Sequence, residues 1–162
     1  MRSPDVPVLR RAAMDFLARR EHSFFELKQK LLIKYPELVI NDLEEALSQL
    51  QQEKLQSDER FSESFIRYRK SRGFGYRHIR ADLSSRRVHP DIISNHLYID
   101  DDDWTEIAQR LIDKKLGDSK QLEFGGKQHR KLLRFFESRG FSSNEIQHIL
   151  AKSVKFLSIE GK

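Results

Sequence analysis

One spacing of side chains occurs three times in this chain. Leu9, Ala13, Phe16 and Leu17 stand at i, i+4, i+7 and i+8; Phe61, Phe65, Tyr68 and Arg69 repeat those intervals, and so do Trp104, Ala108, Leu111 and Ile112. That spacing lines one face of an α-helix, so it predicts three equivalent first helices. A second series follows: Ile79, Leu83, Val88, Ile93, Leu97 and Leu132, Phe136, Phe141, Ile146, Leu150 share the intervals 4, 5, 5, 4. The first copy carries the pairs Leu27, Leu31 and Leu43, Leu47, with two extra residues near Tyr35 and Pro36. Leu9 to Leu27 and Phe61 to Ile79 are each 18 residues; Trp104 to Leu132 is 28, and the extra ten fall in 117–126.

The fold class expected is therefore all-α: an elongated, curved array of three tandem three-helix repeats, at 6–56, 57–100 and 101–156, the last with a loop at 117–126 and none with strands. Capping signals agree. Ser23 with Glu26, and Ser142 with Glu145, have the spacing of a capping box, while Gly73 and Gly140 sit where helices should end. A unit of this size has little interior, so each copy needs its neighbour.

Composition narrows the function. Charged residues are 34% of the 162, yet eleven Phe and the periodic Leu and Ile argue against disorder. With no Cys, disulfides and thiolate metal sites are excluded. No stretch approaches the about 18 apolar residues of a bilayer span, which predicts a soluble, cytoplasmic protein without a membrane partner. The six His include no i, i+4 pair, and the acidic run Asp100 to Asp103 lacks the spacing and glycine of a calcium loop. That run is expected to cap the helix of Trp104. No metal, cofactor, nucleophile–base constellation or catalytic residue is expected, so an enzyme is not.

The net charge of +5 conceals alternating blocks. Basic and acidic side chains number 8 and 4 in 1–36, 2 and 8 in 37–65, 8 and 1 in 66–90, 4 and 9 in 91–126, and 8 and 3 in 127–162. Stacked in register, such units would present a basic and a separate acidic surface. Arg20, Arg72 and Lys115 share one repeat position, at the end of the first helix; Lys34, Arg86 and Arg139 share another, at the end of the second. Helix dipoles alone favour cations there, by about 0.3–1 kcal/mol each, so both a local and a binding role are open. Arg69 occupies a position that is apolar in the other copies. It either snorkels over the core edge or answers a functional demand. On α-helical geometry Lys127, Arg130 and Arg134, with Lys131 beside them, lie opposite the apolar stripe of Leu132, Leu133, Phe135 and Phe136.

At Asp58-Glu59-Arg60-Phe61, Phe65-Ile66-Arg67-Tyr68-Arg69, Gly73-Phe74-Gly75, Ile79 and Leu83, the sequence resembles the bacterial RecX family, regulators of the RecA recombinase. The likeness continues through Asp103-Trp104 with Ala108, Lys127-Gln128-His129-Arg130-Lys131, Arg134-Phe135-Phe136 and Arg139-Gly140-Phe141. The resemblance implies a monomeric, non-catalytic modulator, mainly an inhibitor, acting in DNA repair, homologous recombination and the SOS response. It would lie in the groove of the RecA–DNA filament and lower ATPase, strand-exchange and coprotease activities. The partners implied are the RecA filament and single-stranded DNA, with double-stranded DNA a further candidate. The residues expected to face RecA or DNA are Arg67, Arg69, Arg72, Arg77, Arg80, Arg86, Lys127, Arg130, Arg134 and Arg139. The alternative is a helical DNA-binding protein or transcription regulator acting without RecA. One departure from the family pattern is Arg87 where glycine is frequent. A left-handed conformation costs a non-glycine residue about 1 kcal/mol or more, so that turn is expected to take another form.

Overall fold

A computed structural model describes residues 2–157. Among them are nine α-helices in the predicted order of threes: α1 (Val6–Arg19), α2 (Phe24–Lys34), α3 (Ile40–Gln52); α4 (Asp58–Ser71), α5 (Tyr76–Ser85), α6 (Pro90–His96); α7 (Asp103–Leu116), α8 (Lys127–Ser138), α9 (Ser143–Ser153). Every position of the second series is buried, from Leu27 and Leu31 to Ile146 and Leu150. The register inferred from spacing is the register of the interior.

The described residues form two compact units, one of residues 2–66 with 82–96 and one of residues 67–81 with 97–157, so α4 and α5 contribute to both. In the first unit, α1 packs on α2 and α3 around Leu9, Ala13, Leu27, Leu31, Leu43, Leu47 and Leu50, all fully buried. Asp5 caps α1 through Val8 N–H, and Ser23 and Glu26 complete a capping box at α2. The Ser23 hydroxyl also donates to the Arg86 carbonyl, and Gln56 Nε2 donates to the His22 carbonyl and the Asp58 carboxylate. Burial is the largest influence on the Glu26 carboxyl and pushes it up; hydrogen bonds from Arg20 and the Ser23 amide, with the charges of Arg20 and Arg86, outweigh it and hold Glu26 below its ordinary value.

In the second unit α9 packs on α7 and α8, with Trp104, Ala108, Ile112, Leu132, Phe136, Phe141, Ile146 and Leu150 inside. Ser142 and Glu145 form the second capping box. The acidic run does something other than cap α7 directly. Asp102 makes no side-chain capping bond; Asp101 accepts from Asp103 N–H instead, and Asp101 and Asp103 grip Lys70 Nζ at 2.7 and 2.9 Å. Burial works to lower the lysine's pKa, but the two carboxylates prevail and raise it, while Lys70 lowers that of Asp101.

Two expectations are corrected. The segment 117–126 is not merely a loop and the chain is not free of strands: a 3-10 turn (Gly117–Ser119) leads to β1 (Gln121–Glu123), which pairs in parallel with β2 (Lys155–Leu157) and buries Leu122. Arg87 does adopt the left-handed conformation, at φ +58°. Four helices close alike, the left-handed residue donating to the carbonyl three back and its successor to the carbonyl five back, at Lys54, Gly73, Arg87 and Gly140. Glycine is demanded where the turn is crowded. A Cβ on Gly140 would stand 2.5 Å from the His78 nitrogen. Arg87 meets no such wall, and its guanidinium lies 5.4 Å from the centre of the Phe25 ring, which offsets part of the strain.

Candidate functional site

The cationic cleft of the second unit is assembled from three helix C-termini. Arg69 and Arg72 come from the end of α4, Arg110, Lys114 and Lys115 from the last turns of α7, and Arg139 from the residue that follows α8. Around them stand Tyr68, Phe74, Leu111 and Phe135, enclosing about 820 Å³. The lining holds no Asp, Glu, Asn or Gln. Among the described residues, Arg72, Arg110, Lys114, Lys115 and Arg139 form no ion pair.

A pair of aromatic rings in the lining holds three of the six cations. The Arg69 and Arg139 guanidinium carbons lie 4.9 and 4.6 Å from the centre of Phe74, and Arg139 and Lys115 Nζ lie 5.2 and 4.2 Å from that of Phe135. Arg139 also donates through Nη1 to the Arg72 carbonyl, and its own carbonyl accepts from Gly75 N–H at 2.6 Å. Gly75 permits that approach, because a Cβ there would meet the Gly140 oxygen at 2.9 Å. Each helix end adds a negative partial charge of about half an electron, which eases the crowding. Three such ends fall well short of six full positive charges. The cleft therefore stays positive, with two guanidiniums already stacked and oriented before any ligand arrives.

Of the ten basic residues singled out in the sequence, this cleft gathers three: Arg69, Arg72 and Arg139. Arg67, Arg77 and Arg80 are exposed elsewhere on α4 and α5, and Lys127, Arg130 and Arg134 are exposed on α8 as its wheel predicts; none lines the cleft. Arg86 belongs to the other unit. Its guanidinium is engaged by Glu26 at 3.6 Å and Asp82 at 3.8 Å and lies 4.7 Å from the centre of Phe65. Arg69 resolves its two readings into one, half-buried at the core edge with its head group in the cleft. Arg110 and Lys114 were not expected, since counting charge by blocks buries them in an acidic stretch. Their i, i+4 spacing, ending beside Lys115, is the signal that marks them.

Among the described residues no group of three or more His, Cys, Asp or Glu could hold a metal ion, and no helix is long and apolar enough to cross a membrane.

Comparison with known proteins places the chain. The model of the RecX second three-helix domain matches residues 57–97, and that of the third matches 101–150. Regulatory protein RecX of Legionella pneumophila is 36% identical over 144 residues, 89% of this chain and 93% of its own length. Regulatory protein RecX of Haemophilus ducreyi is 33% identical over 134 residues, 83% and 85% of the two chains. The crystal structure of RecX from Lactobacillus salivarius shares the fold at a TM-score of 0.75 and 20% identity, over 91% of this chain and 96% of that one. With two helical-domain models matched in series and relatives aligned over most of their length, this chain belongs to the RecX family of regulatory proteins.

Proposed function

We propose that the chain is a non-catalytic modulator of RecA, mainly an inhibitor. It lies in the groove of the RecA–DNA filament as a monomer in the cytoplasm and lowers ATPase, strand-exchange and coprotease activities. The three repeats, at 6–56, 57–100 and 101–156, would contact successive protomers, so that weak contacts add through avidity. The observation that carries this reading is the cleft whose lining holds six cations and no carboxylate, five of them (Arg72, Arg110, Lys114, Lys115 and Arg139) without an ion pair among the described residues, in a chain whose relatives are regulatory proteins. A surface that leaves full charges unneutralised is prepared for an anionic partner, and acidic RecA surface and DNA phosphates both qualify. The exposed α8 cations Lys127, Arg130 and Arg134, with Arg67, Arg77 and Arg80, would extend that contact.

The test is the ATPase rate of RecA on single-stranded DNA with the purified chain added at micromolar concentration. Inhibition is expected; an unchanged rate overturns the proposal. Transcription regulation without RecA fits less well, because base reading in a major groove favours side chains at the N-terminal end of one helix. The cleft draws instead on the C-terminal ends of three.

A further inference from the structure

We infer that Lys30, hydrogen-bonded to the buried imidazole of His22, is a modification site: its amine takes an acyl group from an acyl phosphate, with His22 as the base. The site lies in the first unit and is independent of the cleft and of the function proposed above.

Lys30 lies on α2 and lacks the partner that its helix offers. Glu26 stands four residues before it, the spacing at which a carboxylate meets a lysine, yet Glu26 is engaged by Arg20 at 2.9 Å and by Arg86 at 3.6 Å. Among the described residues Lys30 forms no ion pair. Its Nζ meets His22 Nε2 at 2.7 Å instead and lies 5.1 Å from the centre of the Phe16 ring. Apart from Glu26, the charges that bear on it are cations: Arg19 and Arg20 at the end of α1, and Lys34, whose Nζ lies 5.9 Å from the centre of the same ring. Burial, then the charge of Arg20 and after it that of Arg19, hold Lys30 below the ordinary lysine value against the opposing pull of Glu26. A lysine placed beside other cations and partly desolvated keeps a larger share of free, nucleophilic amine near neutral pH.

His22 completes the site. Its Nδ1 donates to the Arg20 carbonyl at 3.0 Å, which leaves Nε2 as an acceptor toward Lys30. The free amine keeps one N–H on Nε2 and attacks the acyl carbon with its lone pair. As the new C–N bond forms, the nitrogen gains a positive charge, and its proton passes to Nε2. The bond from the acyl carbon to the phosphate oxygen then breaks, and inorganic phosphate leaves with that electron pair. His22 releases the proton to water, so the products are an Nε-acyl lysine, inorganic phosphate and a neutral imidazole. Arg19 and Lys34 are exposed and form no ion pair among the described residues, so their charge is available to draw in the phosphate end of the donor.

The experiment incubates the full chain with acetyl phosphate at about pH 7.5 and follows each lysine by mass spectrometry. Lys30 should acetylate at least about fivefold faster than Lys127 and Lys131, which are exposed on α8. That advantage should shrink as pH rises toward the ordinary lysine range, about 10, because it rests on a larger share of free amine near neutrality. Arg19→Gln with Lys34→Gln should slow acetyl phosphate about threefold or more relative to an uncharged acetyl ester, because only the phosphate donor answers to those charges. His22→Gln should slow Lys30 with both donors and leave Lys127 unchanged. Since His22 is buried, circular dichroism checks that variant for folding, and if it unfolds the pH profile of the parent chain decides. The inference is overturned if Lys30 reacts no faster than Lys127 in the parent chain, or if its advantage is undiminished at about pH 10. It is equally overturned by a donor ratio unmoved in the double variant, or by a folded His22→Gln chain that acetylates Lys30 at the parent rate.

Discussion

Arg139 lays its guanidinium on the ring of Phe74, 4.6 Å from carbon to ring centre. The same side chain reaches Phe135 and donates to the Arg72 carbonyl, so one residue ties the end of α4 to the end of α8 within the second unit. Arg139 is thus an organiser of the cleft as well as one of its charges.

Arg139→Ala should therefore lose stability as well as charge. Two cation–π contacts and a hydrogen bond on a half-exposed residue suggest a cost of about 1–3 kcal/mol. Urea denaturation checks it. Arg139→Lys should recover only part, since an ammonium cannot span two rings and a carbonyl in one plane. Full recovery by lysine would reduce the residue to a point charge.

The two closing turns should respond unequally to exchange of their left-handed residue. Gly140→Ala puts a Cβ 2.5 Å from the His78 nitrogen at φ +94° and should cost about 2 kcal/mol or more. Arg87→Gly relieves strain at φ +58° but gives up the stack on Phe25 and adds freedom to the unfolded chain. Its net change should stay within about 1 kcal/mol. Comparable losses in the two variants would contradict the role given to crowding.

Stability should fall as the medium turns mildly acid. His22 is buried with Nδ1 donating to the Arg20 carbonyl at 3.0 Å and Nε2 accepting from Lys30 Nζ at 2.7 Å, an arrangement that fits only the neutral ring. Burial, then the charges of Arg20 and Lys30, hold its pKa below the ordinary 6.5 against the opposing Arg20 carbonyl and Glu26; burial does the same to His129. Neutral histidine is favoured in the folded state, so its stabilising effect is complete above pH 6.5 and declines as pH falls toward the lower folded value. Denaturant midpoints between pH 7.5 and 5 should fall, and His22→Gln should flatten the slope whatever its absolute stability. A midpoint independent of pH in this window would refute the neutral arrangement.

Crowded like charge should also be visible in the free protein. Arg110→Gln with Lys114→Gln removes two of six cations and should raise Tm by about 1–2 °C in low salt. The gain should vanish near 0.5 M salt, where screening acts over a few Å. A loss of Tm at low salt would mean that these side chains are held by favourable contacts instead.

The repeat was legible because its information is local: intervals of four and five along one helix decide which side chains face inward, and Ile79 to Leu97 and Leu132 to Leu150 are buried accordingly. The cleft was legible only in part. Arg72 and Lys115 stood out as one repeat position, and Arg69 as a charge in an apolar one, but Arg110 and Lys114 belong to a stretch whose net charge is negative. Which helix ends converge is a tertiary fact. The strand pair was hidden for a related reason, since Leu122 and Phe124 make only one alternating apolar pair and the partner segment lies 34 positions on. Propensity predicts another form of turn at Arg87, and the turn's hydrogen bonds and a neighbouring ring override it.

The parallel pairing of Gln121 with Lys155 has a consequence for how the molecule is made. Most other packing here joins helices close in sequence and can form as each emerges from synthesis. A parallel pair must wait until both helices between its strands have been made, and its closure is correspondingly slow. Phe135 and Arg139 lie inside that span. One wall of the cleft is thus set in place late, so a nascent chain completes its fold first where it carries no cleft and last where it does.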